Sequence, residues 1–75
     1  MKIEQKDYHT TYYLEVESHY HKVSDAKWKS DAIMFTMGQQ SGKAHEVDAV
    51  VTCSTDEARA FAKSILKVCE EIENS

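Results

Sequence analysis

Glu17, His19 and His21 stand two residues apart, so on an extended chain one carboxylate and two imidazoles share a face. Neutral imidazole nitrogens beside a carboxylate oxygen are a donor set for a divalent cation such as zinc. A closed site needs a third or fourth ligand. His9 lies ten residues back along the same run, roughly 30 Å away at the rise of a strand, and His45 is distant in sequence. Surface histidines without a dedicated role are therefore the simpler reading, and no cofactor is expected.

Cys53 and Cys69 fall on apolar faces of the elements assigned below, where free cysteine behaves as a small hydrophobe. Neither has a base at a spacing that would make it a nucleophile, so no catalytic residue is assigned and the chain is not expected to be an enzyme. Gly38-Gln39-Gln40-Ser41-Gly42-Lys43-Ala44 looks like a phosphate loop at first sight. It is one residue short of the G-x-x-x-x-G-K spacing, lacks the following Ser or Thr, and runs into a strand rather than opening a helix. Tyr20, Lys22, Lys27, Trp28 and Lys29 make the one locally basic and aromatic stretch, the combination that stacks bases and pairs phosphates, although Asp25 and Asp31 dilute it.

These residues are positioned by a chain whose patterning is unusually regular at its start. From Tyr8 to His21 the even positions Tyr8, Thr10, Tyr12, Leu14, Val16 and Tyr20 are mostly apolar. The odd positions His9, Thr11, Tyr13, Glu15, Glu17, His19 and His21 are mostly polar. A period of two over this length predicts one two-faced β-strand. The pattern breaks at Lys22 to Lys27, which reads as a connection. Ile33, Phe35 and Met37 then share a parity in a second strand from about Ser30 to Met37. Gly38 to Lys43 predicts an exposed hairpin loop whose glycines can take positive φ. His45 to Cys53 forms a third strand, with Val47, Ala49, Val51 and Cys53 on one row and Glu46, Asp48, Val50 and Thr52 on the other.

Ser54 followed by Glu57 is a capping box, and Asp56 and Glu57 place negative charge at the positive end of a helix expected over Thr55 to Glu73. Ala58, Phe61, Ala62, Ile65, Leu66, Cys69 and Ile72 follow helical spacing and form its apolar face. The expected fold class is α+β: a three-stranded antiparallel sheet with the C-terminal helix packed on one face, βββα in two layers. In that arrangement Leu14, Val16, Ile33, Phe35, Val47, Ala49 and Val51 meet Phe61, Ile65, Cys69 and Ile72. The first six or seven residues and Asn74-Ser75 read as frayed ends.

One helix covers one face of a sheet, which leaves the opposite face open. Thr11, Tyr13, Glu15, Glu17, Met34, Thr36, Asp48 and Val50 are the candidate partner-binding residues on it. They form an apolar centre with a polar and acidic rim, the layout of an interaction patch. Self-association through this face or through an edge strand is the simplest form of such binding.

Seventy-five residues make a single domain spanning residues 1–75, with little room for both a core and an enclosed catalytic pocket. The net charge of −4 disfavours nonspecific binding to phosphate backbones and anionic membranes. No apolar leader or spanning stretch is present, and two cysteines are too few for a disulfide framework, so a cytoplasmic location is expected. The functional expectation is a noncatalytic protein-binding accessory factor, acting as a homodimer on a larger protein through the open sheet face or an edge strand. A small acidic inhibitor of a protein complex, of the kind mobile elements carry, fits that size and charge. The alternatives are a nucleic-acid-associated protein using Tyr20 to Lys29, and a metal-binding protein using Glu17, His19 and His21.

Overall fold

The computed structural model describes residues 1–19 and 32–75. Among the described residues four strands, β1 (Lys2–Asp7), β2 (Thr10–Ser18), β3 (Ile33–Ser41) and β4 (Ala44–Cys53), precede one helix, α1 (Thr55–Glu73). The strands form one antiparallel sheet in the order β1-β2-β3-β4. The α+β class, the antiparallel sheet and the C-terminal helix agree with the sequence reading, but the sheet has four strands rather than three.

The added strand is the N-terminus itself. Lys2–Asp7, expected to fray, pairs residue by residue with β2, from Lys2 opposite Glu15 to Asp7 opposite Thr10. Met1 extends the ladder: its amino group donates to the Val16 carbonyl at 3.3 Å, and the Val16 N–H donates to the Met1 carbonyl at 3.0 Å. The segment has one large apolar residue, Ile3, too little for a visible period. Its Lys2, Glu4 and Lys6 are the charges that keep an outer edge from pairing with other chains. The chain reverses at Tyr8-His9, so the long first strand expected from Tyr8 begins instead at Thr10. Tyr8 adopts φ 60°, a left-handed conformation uncommon outside glycine, because two residues must close the hairpin.

Strand β3 runs on through Gly38 to Ser41, so the reversal expected across Gly38 to Lys43 is confined to Gly42 and Lys43, with Gly42 at φ 59°. Between Met37 and Gly38 the register with β4 slips: Met37 pairs with Ala49 and Gly38 with Val47, leaving Asp48 as an extra residue. This bulge reverses the parity of the first part of β4. Val47 therefore joins the Tyr13 face rather than the Leu14 face, and Glu46 moves the other way, opposite Gln39.

The register makes one face of the sheet apolar. Ile3 lies opposite Leu14, Leu14 opposite Met37, Val16 opposite Phe35, and Phe35 opposite Val51. This is the face the helix was expected to cover, and it does not. The helix meets the sheet at its start, where Phe61 packs edge-to-face on Phe35 with centroids 5.9 Å apart. No residue of α1 is buried, Ile65 and Ile72 are 50% and 68% exposed, and Val51 on the sheet is 59% exposed. The Cα radius of gyration is 15.4 Å, against about 11 Å for a compact domain of this length. The two-layer packing is thus corrected to an open arrangement of sheet and helix.

The helix forms as its ends dictate. The Glu57 N–H donates to Ser54 Oγ at 3.1 Å, and the Ser54 N–H donates to Glu57 Oε1 at 3.0 Å, the reciprocal pair of a capping box. The Ser54 N–H, and after it the Ser54 hydroxyl, which also donates to Glu57 Oε1 at 3.0 Å, hold the Glu57 carboxyl below its ordinary value of 4.5. Among the described residues no helix is long and apolar enough to cross a membrane.

Candidate functional site

Tyr13 sits in the middle of β2, on the face opposite Leu14, and is the centre of a small side-chain constellation. Glu4 flanks it on β1 and Gly38 on β3. Because Gly38 carries no side chain, the Tyr13 ring lies across β3 and reaches β4. There its hydroxyl shares a 2.6 Å hydrogen bond with His45 Nε2, the two rings being 5.5 Å apart. On the other side the Lys2 ammonium stands 4.8 Å from the Tyr13 ring centre, a cation–π contact. Four strands thus contribute one residue each to a fixed aromatic platform.

The glycine is a steric requirement of that platform. A β-carbon at Gly38 would sit 2.5 Å from the Tyr13 hydroxyl oxygen and 2.6 Å from the Glu46 carbonyl oxygen, closer than real contacts allow. The second of these is backbone and cannot swing away. Gly38 is also buried, although both neighbouring strands are largely open to solvent.

Seven of the eight residues proposed from the sequence share this face by register. Thr11, Tyr13, Glu15 and Glu17 lie along β2, with Glu15 opposite Thr36 and Glu17 opposite Met34. Thr36 is in turn opposite Val50. Asp48 does not belong with them: as the extra residue of the bulge, its carboxylate accepts from Gln39 Nε2 at 3.2 Å, and Gln39 lies in the row of Tyr12 and Met37. Its place beside Tyr13 is taken by Val47 and His45. Lys2, Gly38, His45 and Val47 were missed as members of this patch. Lys2 was read as a frayed end and Gly38 as part of a loop, while a bulge leaves no mark in an alternating run that is apolar on both sides of it.

The remaining candidates do not converge. His9 lies in the Tyr8-His9 turn and stacks edge-on against Tyr8, and the His19 N–H donates to the Ala32 carbonyl at 2.6 Å. His21, and with it the full Glu17-His19-His21 set, lies outside the described residues, as does the Tyr20 to Lys29 stretch. Among the described residues no group of three or more His, Cys, Asp or Glu side chains is arranged to hold a metal ion. Cys53 is partly covered and Cys69 exposed, and both are free thiols.

Chemically, the constellation presents a rigid aromatic surface with a hydrogen-bonded imidazole at one side and a cation at the other. Met34, Val47 and Val50 add apolar area around it, and Glu4, Glu15 and Glu17 form a charged margin. No protein-family model, curated protein or solved structure matches this chain.

Proposed function

We propose that this chain is a noncatalytic protein-binding accessory factor that engages a larger protein through the Tyr13 face of its sheet. The observation that supports it most is the immobilised Tyr13 ring, held by Lys2, Gly38 and His45 at the centre of an open face. Tyrosine dominates binding energy where its ring is presented without loss of side-chain freedom, and a ring fixed in the free protein loses none on binding. Met34 and Val50 supply area that can be desolvated, and Glu15 and Glu17 supply a rim that stays wet, as in protein interfaces generally. Small size and a net charge of −4 suit an inhibitor that occupies a basic surface of a larger complex, of the kind mobile elements carry, with the protein working as a homodimer.

The test compares the parent chain with Tyr13→Ala and with Val50→Asp in affinity capture from the native host, followed by mass spectrometry. The reading predicts one protein recovered in stoichiometric amount with the parent and lost with both variants, while circular dichroism shows the sheet intact. Equal recovery with all three chains would remove the Tyr13 face from consideration.

A further inference from the structure

We infer that a second copy of this chain completes the fold, each copy laying the C-terminal half of its α1 into the apolar groove on the other's sheet. This goes beyond the binding reading, since it assigns the opposite face of the sheet, and it rests on that reading only for the expectation of two copies. The groove lies between the sheet and the start of the helix, holds about 390 Å³, and is lined by apolar residues including Leu14, Phe35, Met37, Val51 and Phe61, with Glu57 of the capping box at its helix end. Its own helix fills one end of it, through Phe61 on Phe35, and then leaves the sheet.

The chain therefore carries two apolar surfaces of matching kind that do not cover each other. Along β2 the pattern is inverted relative to an ordinary monomer: Tyr12, Leu14 and Val16 are exposed, while Thr11, Tyr13 and Glu15 between them are partly covered. Beyond Phe61 the helix continues for about 18 Å at 1.5 Å per residue, with Ile65, Val68 and Ile72 on one side and all three at least half exposed. With Ala58, Ala62, Leu66 and Cys69 the apolar stripe is far wider than the two-position seam of a coiled coil, and a broad stripe is what packs on a sheet.

The exposures agree with a second copy as the occupant: Leu14, Met37 and Val51 on the sheet and Ile65, Val68 and Ile72 on the helix are all between 38% and 68% exposed, so one chain offers both the helix face and the sheet face that such an interface joins. A reciprocal exchange is self-complementary: every helix that lacks a bed finds a sheet that lacks a cover, in both directions at once, and the assembly closes at two. A helix-to-helix dimer would leave both sheets bare.

The test is complementation between two variants, read by sedimentation equilibrium of the full chain. Leu14→Asp damages the groove and leaves the helix, while Ile65→Asp damages the helix and leaves the groove. Each alone is expected to sediment as a monomer, with helix content by circular dichroism equal to the parent; Ile65→Gln replaces Ile65→Asp if that charge costs helix. Mixed in equal amounts they are expected to form a heterodimer, because one intact helix still meets one intact groove. Dimers of Ile65→Asp alone, or a mixture that stays monomeric, would overturn the exchange. Tyr13→Ala should leave the mass at that of a dimer, so failure here and failure of the binding reading are told apart.

Discussion

Gly38 shows how a residue without a side chain determines one. Its missing β-carbon is the space across which Tyr13 reaches His45, and the Glu46 carbonyl closes that space from the other side. Gly38→Ala is expected to destabilise the fold by about 1 to 3 kcal/mol, seen as a lowered denaturation midpoint, because the Glu46 backbone oxygen as well as the Tyr13 hydroxyl must give way. Tyr8 is the opposite case: it is 96% exposed and held at φ 60°, so it has strain and, beyond its edge-on contact with His9, little packing to lose. Tyr8→Gly should raise the midpoint, by up to about 1 kcal/mol in stability, by relieving the left-handed conformation. That Tyr13 shares a face with Thr11, Glu15 and Glu17 was legible from its place in an alternating run. The glycine beneath it was not, because pairing between β2 and β3 depends on where each strand ends and on a turn of two residues instead of six.

At the scale of the element, the helix was legible almost to the residue because its start carries local chemistry: Ser54 and Glu57 satisfy each other's backbone whatever the rest of the chain does. Ser54→Ala should cost about 1 kcal/mol, measured by thermal unfolding of the full chain. The Glu57 carboxyl is held below 4.5 in the folded chain, chiefly by the Ser54 N–H and then by its hydroxyl. A carboxyl depressed by folding stabilises above its unfolded value, and that contribution fades as pH falls through the lower folded one. Helix content should therefore decline with acid below about pH 4.5, and Glu57→Gln should flatten that decline. The strands were harder to read. Lys2–Asp7 pairs through its backbone, which composition does not report, and the bulge at Asp48 exchanges the faces of Glu46 and Val47 without altering the alternation around it.

For the whole molecule, the same amphipathic patterns that identified sheet and helix led to the expectation that they cover each other within one chain. Hydrophobic periodicity says which face must be buried and is silent on which copy buries it. Leu14, Met37 and Val51 on the sheet, with Ile65, Val68 and Ile72 on the helix, all meet solvent in the single chain. An isolated monomer should accordingly be marginal, with stability that rises with protein concentration. The most direct measurement is the mass of the parent chain by sedimentation equilibrium across micromolar concentrations. The open fold predicts about 17 kDa, twice the 8.6 kDa of one chain, with dissociation only on dilution. A mass of 8.6 kDa throughout that range would contradict it.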